Sequence, residues 1–298
     1  MKQRLTLGTR GSKLAMLQAD LVRNALLDAF PKLEITIKTI KTEGDIDRSS
    51  PLSNFGGRGA FVRSIETALL GGVIDAAVHS LKDLPSELPD GLVLGSAPLR
   101  EDPRDALLTR TGGGLDSIPR GSTVGTGSER RSRQLEHLRP DIACTGIRGN
   151  VETRLRKLDE GSYDAVVLAA AGLKRLGLEA RISKAFHPDR MLPAPCQGAI
   201  GVECRADDAE TLHLLDIIDD PDIRICTDAE RLFINTLGMG CHTPVGALAV
   251  IDGDDILFRA YAAREKDSGE IRNTVRATAR KAHEIIRDLA IKFRTELE

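Results

Sequence analysis

Residues 4–40, RLTLGTRGSKLAMLQADLVRNALLDAFPKLEITIKTI, decide the fold class because they contain a complete strand–helix–strand unit. Residues 4–7 and Glu34–Ile40 alternate apolar side chains with others, which is typical of strands. Between them, leucines recur at helical spacing after Ser12, a residue type that favours the N-cap position of a helix. Two strands joined through a helix indicate a parallel pair with a crossover connection.

The alternation of strands and helices continues to about residue 169. It indicates the α/β class, with a mostly parallel sheet formed twice and covered by helices on both faces. In such sheets ligands bind at the carboxyl ends of the strands, where the polar loops of this sequence fall. The polar, glycine-rich stretch 41–60 is too long for a simple connector and is interpreted as a functional or mobile loop. The predicted strands are 75–80, 122–125, 142–145 and 165–169, and the predicted helices are 61–70, 128–139 and 150–161.

The sequence changes character after about residue 221. Thr227 and Glu230 match a capping box, which predicts a helix that begins there and ends at Leu237. Hairpin-like strands follow, with turn residues at 252–253, and the last segment has apolar residues at helical spacing. These features predict a separate α+β domain of about 80 residues.

Composition excludes several classes of protein. A chain of 298 residues predicts about two domains or slightly more. The net charge of −2 and the scarcity of aromatic residues argue against a nucleic-acid-binding protein. Residues 1–13 lack the apolar core of a signal peptide, and the longest apolar stretch, 165–173, is far shorter than the ~20 residues of a membrane span. We therefore expect a cytoplasmic protein that binds neither nucleic acid nor membrane.

The cysteines and histidines predict neither a disulfide framework nor a metal site. The 5 cysteines are odd in number and widely spaced, and the 6 histidines show no ligand spacing. Cys144 and Cys204 lie in apolar strands and are expected to be inert. Cys241 lies between glycines beside His242, so it is either a reachable nucleophile or an incidental loop cysteine.

Arginine is concentrated between residues 120 and 156, where eight arginines, four acidic residues and no lysine occur. Arginine is suited to bidentate recognition of carboxylates or phosphates. Several of these arginines lie where a strand gives way to a helix, and a helix N-terminus favours anions. The same design occurs at residues 9–12, 128–131 and 148–150. Three such junctions favour an anion site over a solvated basic face.

Lys82 and Asp83 follow the predicted strand 75–80. A carboxylate at a strand end in an arginine-lined cleft could stabilise positive charge or transfer protons. Most such aspartates are turn residues or partners of arginine. Spacing alone leaves both interpretations open.

The order of the motifs resembles the porphobilinogen deaminase family. The resemblance covers the first 245 residues and becomes weak after about residue 251. Gly127 and Cys196 depart from the family pattern, which usually has a hydroxyl residue and a small residue there. The matching segments are 9–12, 56–61, 79–85, 100–106, 128–131, 147–151, 170–177, 197–205 and 240–244.

The resemblance implies an α/β fold with two lobes like those of periplasmic binding proteins, a cleft between them, and a small C-terminal α+β domain. The implied domains are 1–99 with 199–216, 100–198, and 217–298. The implied reaction condenses four porphobilinogen molecules head to tail onto a covalent dipyrromethane cofactor, releases ammonia at each step, and ends with hydrolysis to hydroxymethylbilane. The implied partners are porphobilinogen and the next tetrapyrrole enzyme, and the family implies a monomer.

The resemblance also implies roles for individual residues. Cys241 matches the cofactor attachment position, and Asp83 matches the catalytic carboxylate, which would stabilise the positive charge that develops during each condensation. Gln18, Arg58 and Gln197 match other cleft positions. The residues that match positions binding acetate and propionate side chains are Arg10, Ser12, Lys82, Ser128, Arg130, Arg131, Arg148, Arg154 and Arg175.

A protein of another class remains the main alternative. A cytoplasmic anion-binding module with the two-lobed receptor fold would hold a small anion without chemistry. Such a module has no need for Cys241 or Asp83, and it leaves the C-terminal domain unexplained. A phosphate- or nucleic-acid-binding enzyme is a weaker alternative, because no phosphate-binding loop motif is present.

Overall fold

The computed structural model describes residues 2–42, 62–238, 243–264 and 269–298. The chain divides into two compact units. Unit 1 comprises the described residues of Met1–Glu101 together with Ala199–Thr227, and unit 2 comprises Asp102–Gly198 together with those of Asp228–Glu298.

The described residues form helices and three separate sheets. The strands are β1 (Arg4–Arg10), β2 (Glu34–Ile40), β3 (Ala76–Ser80), β4 (Leu92–Arg100), β5 (Asp105–Thr109), β6 (Thr123–Gly125), β7 (Ala143–Thr145), β8 (Ala165–Ala169), β9 (Lys184–Ala185), β10 (Ala199–Arg205), β11 (Val245–Asp252), β12 (Asp255–Ala263) and β13 (Glu270–Thr278). The helices are α1 (Lys13–Ala29), α2 (Arg63–Leu70), α3 (Glu129–Leu138), α4 (Val151–Asp159), α5 (Ala170–Arg175), α6 (Ala209–Ile217), α7 (Pro221–Leu237) and α8 (Ala279–Leu297). Short 3₁₀ turns occur at Leu81–Asp83, Leu115–Ser117 and Glu179–Arg181.

The sheet of unit 1 has the strand order β2-β1-β3-β10-β4. Strand β1 is parallel to β2 and β3, whereas β10 is antiparallel to both of its neighbours, β3 and β4. Helices α1 and α6 cover one face through a core that includes Leu7, Val22, Val202 and Leu215. As predicted, Ser12 caps α1, and its Oγ accepts a hydrogen bond from Ala15 N at 3.3 Å.

The α/β sheet of unit 2 has the order β7-β6-β8-β5-β9 and repeats this plan. Strand β6 is parallel to β7 and β8, and β5 is antiparallel to β8 and β9. Strand β8 is apolar throughout because both of its faces are covered: Val167 packs into one core, and Val166 and Leu168 pack into another. Asn150 caps α4, as predicted, through an Oδ1 that accepts from Thr153 N at 2.8 Å.

The third sheet, also in unit 2, is the antiparallel meander β11-β12-β13. Helix α8 packs on it, and Phe233, Phe258 and Phe293 form an aromatic cluster with ring centroids 5.4–5.5 Å apart. The β11–β12 hairpin turns at Gly253, which has a φ of +65°. A two-residue turn of this kind requires a positive φ, so glycine is favoured at that position.

The predicted start of the helix at Thr227 is wrong. Helix α7 begins at Pro221, after Asp220, whose Oδ1 accepts hydrogen bonds from Asp222 N and Ile223 N at 3.0 Å. Thr227 lies inside the helix and donates to Ile223 O at 2.8 Å. A Ser/Thr-x-x-Glu spacing is a cap only where the chain enters the helix, and the Asp–Pro pair supplies the actual start.

The structure confirms the α/β class with an additional small sheet-and-helix domain. Each five-stranded sheet contains one antiparallel strand among mostly parallel ones, so the mostly parallel prediction is also correct. The division into three domains stays a prediction. None of the helices in the described residues has both the length and the apolar character required to cross a membrane.

Candidate functional site

In unit 1, the carboxyl ends of β1 and β3 lie side by side because the two strands are parallel neighbours. Thr9 Oγ1 donates to Val78 O at 3.2 Å and joins the two strand ends. Strand β1 ends at Arg10, and β3 is followed by the 3₁₀ turn that carries Lys82 and Asp83. Arg10 and Ser12 therefore lie at the end of one strand, and Lys82 and Asp83 follow the end of its parallel neighbour.

Gln18 fixes the end of β3 from the neighbouring helix. This buried residue of α1 donates from Nε2 to Ser80 Oγ at 2.9 Å, and its Oε1 lies 3.2 Å from the same hydroxyl. Leu81 is buried and anchors the turn, whereas Asp83 is exposed. The turn thus exposes the Asp83 carboxylate to solvent, while the buried Leu81 and the Gln18–Ser80 hydrogen bond hold the turn in place.

In unit 2, three parallel strands, β6, β7 and β8, end at one edge of the sheet. Ser128 lies at the start of α3, where its side chain makes no capping hydrogen bond within the described residues. Arg148 is exposed before α4. Arg154 donates from Nε to Gly149 O at 2.8 Å, and Arg175 donates from Nη2 to Gly198 O at 2.6 Å. Ser128 and Arg148 therefore follow the ends of β6 and β7, whereas Arg154 and Arg175 lie in α4 and α5.

Arg130 and Arg131 are buried and both engage Asp105, the first residue of β5. Arg130 Nη1 lies 2.7 Å from Asp105 Oδ2, and Arg131 Nε donates to Asp105 Oδ1 at 2.9 Å. Gln197 Nε2 donates to the same Oδ1 at 2.9 Å and to Pro103 O at 2.7 Å. We call Asp105, Arg130, Arg131 and Gln197 the Asp105 cluster.

The charge of the Asp105 cluster follows from these contacts. Burial by itself would raise the pKa of Asp105, but Arg130 and Arg131 hold it far below its usual range. Two guanidinium groups around one carboxylate leave an excess of one positive charge. Binding of substrate carboxylates by Arg130 and Arg131 stays a prediction, and their contact with Asp105 was missed from the sequence. The sequence signal for this contact was an aspartate that precedes three apolar residues in the strand DALLT.

Two predicted residues, Cys241 and Arg58, lie outside the described residues, and so does residue 43 onward of the predicted loop 41–60. Cys144 and Cys204, which were predicted to be inert, have raised pKa values. Burial raises the pKa of Cys144 to about 11 and that of Cys204 to about 11, so both remain protonated thiols near neutral pH. No group of three or more potential metal ligands occurs in the part of the chain that the structure describes.

Comparison with family models decides the family. Residues 5–213 match the model described as porphobilinogen deaminase, dipyromethane cofactor binding domain, and residues 224–295 match porphobilinogen deaminase, C-terminal domain. The chain belongs to the porphobilinogen deaminase family. The match to the C-terminal domain extends the family likeness past residue 245, where the sequence motifs ended.

Curated relatives agree with this membership. The porphobilinogen deaminase of Roseiflexus sp. (strain RS-1) is 52% identical over 279 residues, which cover 94% of this chain and 92% of that protein. The porphobilinogen deaminase of Syntrophobacter fumaroxidans is 46% identical over 273 residues, covering 87% and 88% of the two chains.

Among solved structures, substrate binding domain 2 of Lactococcus lactis GlnP covers 73% of this chain, and 88% of that domain is matched. The identity is 14% and the TM-score is 0.45. A likeness of this degree establishes neither ligand nor activity.

The cofactor of the porphobilinogen deaminase family is dipyrromethane. The described residues suit a ligand that carries carboxylates. The cationic side chains of the two units are all partly or fully exposed: Arg10 and Lys82 at or after strand ends in unit 1, Arg148 before α4, Arg154 in the first turn of α4, and Arg175 at the end of α5. Cationic side chains beside helix starts are the groups that bind carboxylates well.

Proposed function

We propose that this chain is an active porphobilinogen deaminase. It is a transferase that joins four porphobilinogen molecules head to tail, releases one ammonia per molecule, and frees linear hydroxymethylbilane by hydrolysis. One observation supports the proposal: in a member of this family, Asp83 is exposed in the turn that follows β3, the parallel neighbour of the strand that ends at Arg10. The enzyme acts in the cytoplasm as a monomer, and its product passes to the next tetrapyrrole enzyme.

Asp83 is the proposed catalytic carboxylate. Loss of ammonia from porphobilinogen leaves positive charge on the substrate, and formation of the new carbon–carbon bond requires loss of a ring proton. A fixed carboxylate stabilises that charge and can accept the proton. Asp83 suits this task because the buried Leu81 and the Gln18–Ser80 contact hold the turn that carries it.

The cationic residues are the proposed binding groups for the acetate and propionate side chains. Each added pyrrole brings two more carboxylates, which explains why one enzyme needs many arginines. Arg130 and Arg131 contribute through the positive excess of the Asp105 cluster, and Gln197 positions that cluster. The residues assigned to direct carboxylate binding are Arg10, Ser12, Lys82, Ser128, Arg148, Arg154 and Arg175, with Gln18 and Arg58 at the edge of the site.

Cys241 is the proposed attachment residue for the dipyrromethane, through a thioether. When bound, the dipyrromethane supplies the pyrrole carbon to which the first porphobilinogen is joined. We also propose the three domains 1–99 with 199–216, 100–198 and 217–298. The three separate sheets support this division.

The test measures the mass of the intact protein and the rate of ammonia release. We expect the purified protein to be heavier than its sequence by one dipyrromethane, located on Cys241 by peptide mapping, and the Cys241→Ala variant to fold without this mass. Asp83→Asn should lower the rate of ammonia release about 100-fold or more. Asp90→Asn is the matched control, because Asp90 is another exposed aspartate of unit 1. Binding of porphobilinogen without ammonia release would indicate the anion-binding module instead.

A further inference from the structure

Unit 1 buries two carboxylates and an imidazole together, and no role has been assigned to them. Glu66, His79 and Glu203 are 8%, 7% and 0% exposed. His79 Nε2 lies 3.1 Å from Glu203 Oε2. Oxygen Oε1 of Glu66 and Oε1 of Glu203 are buried without a hydrogen-bond partner in the described part of the chain. We call these three residues the Glu66 cluster.

The fold brings the cluster together from three elements. In the antiparallel pair of β3 and β10, Ala77 lies opposite Glu203 and His79 lies opposite Gly201. Residues two apart share one face of a strand, so His79 and Glu203 lie on the same face of the sheet. Helix α2 packs on these strands and contributes Glu66 among its buried residues.

Charge balance in the cluster favours a bound proton. Two buried carboxylates face one imidazole, and buried charges are stable only when they are paired. Burial raises the pKa of Glu66, and the negative charge of Glu203 raises it further. His79 and Arg63, the other charged groups that act on Glu66 among the described residues, lower it without cancelling the rise. Glu66 therefore keeps its proton to higher pH than an ordinary glutamate does.

His79 of the cluster lies immediately before the turn that carries Asp83. His79 is followed by Ser80, the last residue of β3, and then by Leu81–Asp83. Leu81 packs against Gly201, where an added Cβ would lie only 2.7 Å from Leu81 Cδ1. Strand β10 thus holds the end of β3 by two adjacent contacts, the His79–Glu203 pair and the packing of Leu81 on Gly201.

We propose that Glu66, His79 and Glu203 are positioning residues for the reaction, in which the buried His79–Glu203 pair, covered by Glu66 of α2, fixes the turn that carries Asp83. The inference rests on the proposed role of Asp83. Loss of the Glu66 proton places a second negative charge beside Glu203, so the pair is weakened at high pH and the turn loosens.

The first test is the pH profile of ammonia release. Glu66→Gln keeps the shape of a protonated glutamate and cannot ionise, so the decline of kcat that follows ionisation of Glu66 should be absent from the pH profile of the variant. The exposed Glu87→Gln is the control in the same unit and should leave the profile unchanged. A Glu66→Gln profile that superimposes on that of the wild type overturns the proposal.

The second test needs no activity. In Glu203→Gln, hydrogen exchange of the amides of residues 80–84 should accelerate, and kcat should fall about tenfold with little change in KM because a displaced Asp83 acts less well on bound substrate. Unchanged exchange overturns the proposal. If Glu203→Gln does not fold, His79→Gln takes its place.

The outcomes separate the two proposals. Full activity of Asp83→Asn removes the role of Asp83, whatever the exchange data show. Accelerated exchange in Glu203→Gln together with a changed pH profile in Glu66→Gln supports the positioning role. If Asp83→Asn loses activity and Glu203→Gln keeps full activity, the positioning role is refuted and the role of Asp83 stands.

Discussion

The two units bury charge near their strand ends in opposite ways. In unit 2, the Asp105 cluster surrounds one carboxylate with two guanidinium groups and an amide. In unit 1, the Glu66 cluster places two carboxylates around one imidazole. Asp105 and Glu66 are both buried, and burial by itself raises the pKa of each.

The sign of the neighbouring charge decides whether the pKa of a buried carboxyl group rises or falls. Asp105 keeps its charge because the arginines outweigh desolvation, so its pKa falls far below the usual range. Burial raises the pKa of Glu66, and the neighbouring carboxylate of Glu203 raises it further instead of offsetting the burial. Unit 2 thus contains a permanent ion cluster with a positive excess, and unit 1 contains a cluster whose charge depends on pH.

The largest expected effect is that of Asp105→Asn. It leaves two buried guanidinium groups without a counter-charge, and removing one partner of a buried ion pair costs about 3–5 kcal/mol. Urea unfolding at pH 7 measures the loss. Asp116→Asn, an exposed change in the same unit, is the control. A loss below about 1 kcal/mol, the size of an ordinary surface ion pair, would show that the arginines have other partners.

Glu203→Gln should have a smaller effect on stability. His79 loses its charged partner but keeps an acceptor, and Glu66 loses its repulsive neighbour. We expect the free energy of unfolding at pH 7 to fall by about 1–2 kcal/mol, the cost of weakening one buried hydrogen bond. A loss as large as that in Asp105→Asn would indicate that the two clusters do not differ in charge balance.

Glu66→Gln should produce the smallest change, and a gain. The pKa of Glu66 is raised in the folded state above its ordinary 4.5, so the folded chain binds more protons than the unfolded chain once the pH exceeds that value. Wild-type stability therefore decreases as pH rises from about 4.5 through the raised pKa, and the variant escapes this loss. We expect the variant to be more stable than the wild type at neutral pH, and this advantage should disappear near pH 4. Thermal unfolding at several pH values measures it, and a pH-independent difference would contradict the assignment.

Local signals in the sequence were sufficient for most of the fold. Ser12 and Asn150 cap their helices through contacts with amides three residues away, and Glu34–Ile40 is a strand over the range that alternation predicts. The same local logic failed at Thr227 and Glu230. The buried carboxylate of Glu230 accepts hydrogen bonds from Ala249 N and Cys196 N, and neither residue is a helical neighbour.

The candidate site was likewise predictable from the sequence only in part. Its strand-end residues were predictable, because a parallel strand that precedes a helix must present its last residues at one edge of the sheet. The partners of Arg130 and Arg131 were not, because an arginine-rich segment has the same composition whether its side chains face solvent or a buried aspartate. The proposed roles of Asp83 and Cys241 come from the family resemblance, since spacing alone left them open.

The sequence by itself determined the order of elements, the helix caps and the strand ends on which the site is built, because these depend on residues close together in the chain. Only the tertiary structure decided which buried charges meet. Asp105 lies 25 residues from Arg130 and 92 from Gln197, and His79 lies 124 residues from Glu203. No local pattern encodes contacts of that separation. They arise when the strands assemble, and they determine which side chains are charged.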